Sequence, residues 1–469
     1  MSPAPSLLNL APEVILAVFA HCDVSSVVSA GQTCRWLNQL AFDKCIWVAL
    51  CRDLQRRAIL DSVSTPELAD LSTRELIALV KRLVHGPETW TPRDAGPIIT
   101  AEVRMQITLH SVGCAAGNQL KPLGSGRYVL LRTSTILECW DTVASRLVWR
   151  HKPSVGDGSA RVRTFAAEEI FAEESLVVLI CVRTYPAPYG DQKNYLEVVE
   201  VNLRKGTHKL LMVGRAPDTQ HNEPFHEPAI DGNIAAISIK ISPNTKSTYI
   251  LLLVNYETGS SILLECPPSR MPTGRIVLIP RYIILKLRAS KEHDEIRVVA
   301  HAALQPFWRK AVDVGGEQIA PSLHAHQLPA VSVLDAGPCL DTLSILASPV
   351  RSHEYRVWAH SLIDTGTLFS YQLSVRPGEA PQWRVRAPTP VATHLIFNIP
   401  YSGHLLNHRR GGEIIIPPMT SNRGDWGEYL PARYATVGIA DAQGVGIAHH
   451  SGALIYGTRS STIVVMYYK

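Results

Sequence analysis

The chain has 469 residues, of which 46% are hydrophobic and 19% are charged, and its formal net charge is +5. This length suits about two to four ordinary domains, or one small domain beside one large repeat structure, and the composition favours a packed core over global disorder. The small net charge argues against nucleic-acid binding as the main role.

The cysteines and the apolar runs indicate the cellular compartment. Nine cysteines are scattered without a CxxC pair, and one lies in the apolar run VVLICV. This pattern predicts reduced, buried cysteines in a cytoplasmic or nuclear protein, not a disulfide framework or a zinc site. No basic region precedes the first apolar stretch, and Pro12-Glu13 interrupts it, which argues against a signal peptide. Because Arg281 breaks the most apolar window, we expect no transmembrane span and no membrane partner.

The first part of the chain predicts helices. Pro12 suits the first turn of a helix, and Glu13 is favourable near its positive end. Asp23 or Ser25 is expected to cap a second short helix, which Gly31 ends. The apolar residues of the first helix are predicted to share one face, and they are Val14, Ile15, Val18, Phe19 and Cys22.

Three further helices are predicted before residue 90. The fourth helix spans about Lys44 to Leu60, and Ser72 with Glu75 forms a capping box that opens a fifth. Gly86 and the proline after it close that helix. The third helix carries the apolar residues Cys34, Leu37, Leu40 and Ala41. A segment of about 30 residues cannot bury so much apolar surface on itself, so the helices need either the rest of the chain or another protein.

The order of residues between 10 and 47 resembles an F-box. The features are Leu10, Glu13, a double aliphatic pair, Phe19, Asp23, aliphatic residues at 27 and 28, QTCRW at 32–36 and Trp47. The family usually has Leu-Pro, one residue and then Glu, whereas this chain reads Leu10-Ala11-Pro12-Glu13. Valine also replaces the common proline after Asp23. Both departures lie in the part of the motif that touches the partner.

The resemblance implies docking onto a Skp-type adaptor, which joins a cullin and RING scaffold in an SCF ubiquitin ligase. Exposed apolar patches mark interaction sites of this kind. The predicted adaptor-binding residues are Leu10, Pro12, Ile15, Leu16, Phe19, Val27, Val28 and Trp36. Trp36 also suits the core of the helical domain, as does Trp47. The alternative is that the whole stretch merely caps the C-terminal part of the chain.

The rest of the chain predicts antiparallel β-sheet. Proline and glycine cluster at 86–97, and short runs rich in Val, Ile, Leu and Tyr follow, separated by turns. Runs such as TIVVMYY are apolar on both faces, which indicates stacked sheets. We therefore predict a β-propeller of about seven four-stranded blades, in which MQITLH at 105–110 pairs with the last blade to close the ring. Trp140-Asp141 resembles part of a WD repeat, and tandem β-sandwiches are the alternative architecture.

The predicted organisation is thus α plus all-β: an F-box helical domain at 1–60, a linker helix with a Pro/Gly-rich connection at 61–98, and a propeller at 99–469. The sequence contains neither a Walker loop nor a GxSxG elbow, and GSGRYV at 124–129 is interpreted as a hairpin turn. We expect a non-catalytic subunit without cofactor or metal, presenting an unidentified protein substrate. A scaffold outside ubiquitin transfer and a propeller hydrolase with a central metal are the alternatives.

Overall fold

The computed structural model describes residues 10–61, 65–90, 97–107, 119–124, 126–156, 159–170, 174–185, 191–219, 221–241, 249–267, 275–290, 293–310, 323–337, 340–361, 367–390, 399–404, 407–409, 413–416, 435–438, 442–458 and 461–469. Within these residues, a group of helices is followed by a series of β-sheets.

Local capping signals account for the ends of the helices. The Asp23 carboxylate accepts a hydrogen bond from the Ser26 N–H at 2.7 Å, so it is the cap of the second helix. The predicted capping box is confirmed, because the Ser72 N–H donates to Glu75 at 2.8 Å and the Glu75 N–H donates to the Ser72 hydroxyl. The α-helices that precede the first strand are α1 (Pro12–Ala20), α2 (Val24–Gly31), α3 (Arg35–Ala41), α4 (Lys44–Arg56) and α5 (Thr73–His85).

These five helices share one apolar core, and we call them the helical unit. The Trp47 indole N–H donates to the Ala41 carbonyl at 3.0 Å, which satisfies its buried donor. The buried members of the core include Ile15, Phe19, Val27, Leu37, Ile46, Trp47, Leu50, Leu54, Leu76, Val80 and Leu83. The apolar surface of the short helices is therefore covered in large part by α4 and α5.

The β region forms seven sheets within the described residues, and we number them blades 1 to 7. Blade 1 contains Gln119–Pro122, Tyr128–Arg132, Leu137–Asp141 and Arg146–His151. Blade 2 contains Ala160–Ile170, Ser175–Thr184, Lys193–Asn202 and Thr207–Ala216. Blade 3 contains Phe225–Asp231, Ile234–Lys240, Tyr249–Asn255 and Ser260–Glu265, with the short pairs Arg309–Lys310 and Leu323–His324 at its edge.

The remaining blades follow the same scheme. Blade 4 contains Arg275–Ile279, Tyr282–Arg288, Asp294–Ala300 and Ser332–Gly337. Blade 5 contains Leu340–Ala347, Glu354–Ser361, Thr367–Ser374, Gln382–Val385 and the short Thr389–Pro390. Blade 6 contains Asn407–Arg409, Glu413–Ile416 and Ala435–Gly438. Blade 7 contains Ala442–Ile447, Leu454–Thr458 and Thr462–Tyr468, and the strand Ile99–Gln106 completes it.

Blade 7 joins the two ends of the β region. The strand Ile99–Gln106 pairs antiparallel with Thr462–Tyr468, and Met105 lies opposite Ile463. The predicted pairing of the 105–110 segment with the last blade is thus confirmed for residues 105 and 106. Residues 108–110 lie outside the described residues. The first strand of the β region is therefore hydrogen-bonded to its last strand, so the edge of Thr462–Tyr468 is not left open.

Neighbouring blades pack face to face. Shared apolar cores join blade 1 to blade 2, blade 2 to blade 3, blade 3 to blade 4 and blade 4 to blade 5. Another core joins blade 7 to blade 1. Accordingly, the middle strand Ser175–Thr184 is buried at every residue. Sheets stacked in sequence with the last against the first form a β-propeller, so the predicted fold is confirmed.

The described cysteines are free, and most of them are buried. Cysteines 22, 34, 45, 51, 139, 181 and 266 are all free. The last four are buried, whereas Cys45 is exposed. Burial raises the pKa of the Cys51 thiol to about 12, so it stays protonated. Cys114 and Cys339 lie outside the described residues. Within the described part of the chain, no helix is both long and apolar enough to cross a membrane.

Candidate functional site: the outer face of the first helix

Helix α1 has an apolar face that nothing in the described chain covers. Leu10, just before the helix, is 41% exposed, and Val14 and Val18 are 46% and 49% exposed. Val14 and Val18 are spaced by four and lie on one side of the helix. Leu10 comes four residues before Val14, and we call these three residues the α1 stripe. Aliphatic residues grouped on a surface are typical of binding sites for another chain, so the α1 stripe is the candidate site.

The structure divides the predicted adaptor-binding residues into three groups. Ile15, Phe19 and Val27 are at most 5% exposed and belong to the core of the helical unit. This is a correction to the predicted contact set, because these side chains offer no surface to a second protein. The exposed group consists of Leu10 and Pro12, and the half-buried group consists of Leu16, Val28 and Trp36.

The predicted single apolar face of α1 is also corrected. Ile15 and Phe19 point into the core, whereas Val14 and Val18 point outward. Residues one apart differ by about 100° around a helix, so a helix with aliphatic residues at adjacent positions presents them on two sides. The sequence signal that identifies the α1 stripe is therefore the excess of aliphatic residues over what one buried face requires.

Helix α2 is attached to blade 5 through the turn 348–353, which we call the blade 5 turn. The Ser25 N–H donates to the Val350 carbonyl at 2.8 Å. The Ser352 N–H donates to the Asp23 carboxylate at 2.9 Å, and the Arg351 guanidinium donates to the Ser25 hydroxyl at 3.2 Å. These contacts fix the N-terminus of α2, next to α1, on the propeller.

Asp23 both caps α2 and accepts a hydrogen bond from the blade 5 turn, and its charge suits both contacts. Burial on its own raises the pKa of this carboxyl, but hydrogen bonds from Ser26 and the Ser352 N–H outweigh it and lower the pKa below the ordinary value. Asp23 is therefore ionised at neutral pH. A carboxylate is the stronger acceptor for both backbone N–H groups, so ionisation strengthens both the cap and the attachment.

The end of α4 is attached to blades 1 and 5. The Arg57 guanidinium donates to the Ser348 carbonyl at 3.1 Å. In the 124–126 turn of blade 1, a Cβ at Gly124 would collide with the Ala58 carbonyl, and one at Gly126 would collide with the Asp61 carboxylate. The turn predicted from GSGRYV therefore needs its glycines for a close approach to the helical unit as well as for its own geometry.

The connection after α5 is held by blade 7. The Thr89 N–H donates to the Lys469 carbonyl at 3.0 Å. Trp90 is fully buried, with its ring centre 5.5 Å from that of Tyr468 and 5.0 Å from that of His404. Together with the attachments of α2 and α4, this contact holds the helical unit on three blades while the α1 stripe stays uncovered.

Three histidines of the β region have structural partners. Burial lowers the pKa of His404 to about 4, and its ring is hydrogen-bonded to the Ser402 hydroxyl at 2.9 Å. His221 is hydrogen-bonded to the backbone of Glu223 at 2.8 Å, and His326 lies 2.9 Å from the Glu295 carboxylate. Across the residues that the structure describes, no three His, Cys, Asp or Glu side chains are grouped as metal ligands.

Comparison with known proteins identifies one segment. The F-box-like family matches residues 7–53, which include α1 to α3 and most of α4. No curated protein sequence matches the chain significantly.

Two solved structures share distant similarity with the chain. The β-propeller domain of Cps50 (Swd1) from Myceliophteria thermophila is 9% identical, with a TM-score of 0.42 over 76% of this chain and 99% of that one. Drosophila Semaphorin 1a, extracellular domains 1-2, is 10% identical, with a TM-score of 0.30 over 69% of this chain and 86% of that one. The propeller assignment rests on the strand pairing and blade packing described above.

Proposed function

We propose that this chain, which carries an F-box-like domain at residues 7–53 and a β-propeller, is the substrate-recognition subunit of an SCF-type ubiquitin ligase. The observation that carries the proposal is that the matched segment contains the α1 stripe. A Skp-type adaptor covers the stripe together with Pro12, Leu16, Val28 and Trp36. The propeller presents an unidentified protein substrate.

The role requires no catalytic residue in this chain. In such an assembly, a cullin-bound RING subunit and a loaded conjugating enzyme transfer ubiquitin, and the receptor supplies position. Tethering raises the effective concentration of the substrate's lysines near the enzyme to about the millimolar range. A rigid link serves this purpose best, and the contacts of Ser25, Arg57 and Thr89 with blades 5 and 7 support such a link. The free cysteines support a cytoplasmic or nuclear location.

Co-expression with a Skp-type adaptor tests the docking step. The full chain and the adaptor are expected to co-elute in size-exclusion chromatography at micromolar concentrations. Separate elution of two folded proteins would contradict the proposal.

Ubiquitin transfer is tested separately, in cells. A partner captured by the propeller is expected to have a longer half-life when the wild-type chain is replaced by a variant that does not bind the adaptor. An unchanged half-life would indicate a scaffold outside ubiquitin transfer.

A further inference from the structure

Blade 5 has a cationic face that adaptor docking does not use. Side chains alternate between the two faces of a strand, and in this blade odd-numbered residues such as Val357, Tyr371 and Leu373 pack against blade 4. The opposite face includes the polar and charged residues Glu354, Arg356, Ser370, Gln372, Arg384 and Arg386.

The strand register brings these arginines together. Arg356 and Arg384 both lie directly opposite Gln372, one on each side of it. Their backbones are therefore two strand spacings apart, about 9–10 Å, which is within the combined reach of two arginine side chains. Arg386 follows on the same face, since its N–H donates to the Ser370 carbonyl. The three side chains line a cavity of about 260 Å³, which we call the arginine cavity.

The arginine cavity carries excess positive charge. Among the described residues, its lining includes Arg351, Arg356, Arg384 and Arg386, with Glu354 as the one carboxylate. That carboxylate already accepts from Arg351 at 3.1 Å and from Gln372. Within the described residues, neither Arg384 nor Arg386 forms an ion pair.

One arginine of the cavity is held in place. The Arg356 guanidinium donates to the Tyr401 carbonyl at 2.6 Å and lies 4.2 Å from the centre of the Tyr401 ring. A cation over an aromatic face is stabilised, and its orientation is fixed before any ligand arrives. The hydroxyl groups of Ser348 and Ser370 also line the cavity and add donors.

We infer that the arginine cavity binds a phosphate-type oxyanion. Arginine presents its N–H groups in a planar fork that matches two oxygens of a phosphate, and several forks on one surface bind a dianion more strongly than a monoanion. The cavity is smaller than a typical site for a drug-sized ligand, about 300–1,000 Å³. It therefore suits a phosphate group with its immediate attachment. The inference is independent of adaptor docking, which uses α1.

Calorimetric titration with pyrophosphate as the probe tests the inference on the full-length protein. The wild-type chain is expected to bind pyrophosphate in excess of a sodium chloride control of equal ionic strength. Arg384→Gln with Arg386→Gln is expected to weaken binding by about tenfold or more, because two charge-assisted contacts are lost. Both side chains are exposed, so thermal unfolding of the variant should stay at the wild-type temperature.

Arg146→Gln is the matched control, since Arg146 is an exposed strand arginine of blade 1. Equal weakening by this control, or equal binding by the wild type and the double variant, would overturn the inference. A peptide with one phosphoserine and its unphosphorylated form distinguish the sources of the oxyanion. If the phosphopeptide binds more tightly than pyrophosphate, and its binding depends on the arginines, the cavity is assigned to a phosphorylated protein segment. If pyrophosphate binds more tightly, the cavity is assigned to a small phosphate compound.

Discussion

The proposed docking of an adaptor on the α1 stripe can be tested with a variant that keeps the fold. We choose Val14→Glu with Val18→Lys. Glutamate and lysine have higher helix propensity than valine, and a glutamate four residues before a lysine adds about 0.2–0.5 kcal/mol to an exposed helix. The glutamate lies in the first turn and the lysine near the last, where their charges suit the helix dipole. The double variant should therefore keep α1 intact.

The expected loss of affinity follows from the exposure of the two valines. Full burial of a valine contributes about 1.5–3 kcal/mol. Since Val14 and Val18 are 46% and 49% exposed, covering the remainder of each contributes about 1 kcal/mol. Removing both costs roughly 2 kcal/mol, which is about 30-fold in Kd. Desolvation of the two introduced charges increases the loss further.

Biolayer interferometry with an immobilised Skp-type adaptor measures this change, and circular dichroism with thermal unfolding verifies the fold. Val143→Lys is the matched control, because Val143 is 62% exposed in blade 1, outside the helical unit. The control should bind with the Kd of the wild type. Wild-type affinity in a folded Val14→Glu, Val18→Lys variant would refute the assignment of the stripe.

Three further predictions concern stability. Ile15→Ala should lower the free energy of unfolding by about 2–5 kcal/mol in urea titrations, since it empties a core position. A loss below about 0.5 kcal/mol, as is usual for surface substitutions, would place Ile15 outside the core. Asp23→Ala should cost about 0.5–2 kcal/mol in urea titrations by loss of the α2 cap and also leave the Ser352 N–H without this acceptor. Because the pKa of Asp23 is lowered, the charge-dependent part of this loss should be full at neutral pH and disappear as pH falls through that pKa. Burial, with a smaller contribution from Asp231, raises the pKa of Glu168 to about 7. The stability that this group contributes is therefore present at pH 4 and is lost as pH rises through 7. Glu168→Gln should flatten that part of the pH profile of thermal unfolding, and an unaltered profile would contradict the assignment.

Much of the helical unit could be predicted because its signals are local. Pro12, Asp23 and the Ser72–Glu75 capping box act within one helical turn, so the residues alone define where helices begin. The fourth helix ends at Arg56, before the expected Leu60, since helix ends depend on contacts that lie outside the helix.

The propeller could be predicted because its strands are apolar on both faces. Ser175–Thr184 and Thr462–Tyr468 carry aliphatic or aromatic residues at adjacent positions, which only stacked sheets bury completely.

Three features of the structure could not be predicted from the sequence. Aliphatic residues at 14, 15, 18 and 19 do not reveal which pair faces the core, since that depends on where α4 and α5 lie. The partner of Asp23, the Ser352 N–H, is more than 300 residues away in the chain. Likewise, the arginine cavity arises from the register of blade 5, in which Arg356 and Arg384 come to lie on either side of Gln372.

The pairing of Ile99–Gln106 with Thr462–Tyr468 has a consequence for biosynthesis. On the ribosome, Ile99–Gln106 is synthesised long before Thr462–Tyr468. Its backbone therefore lacks this hydrogen-bonding partner until nearly the whole propeller has been translated. The helices, whose contacts are short-range, complete their own folding much sooner. Under the proposed function, a Skp-type adaptor would therefore meet folded helices before the ring closes.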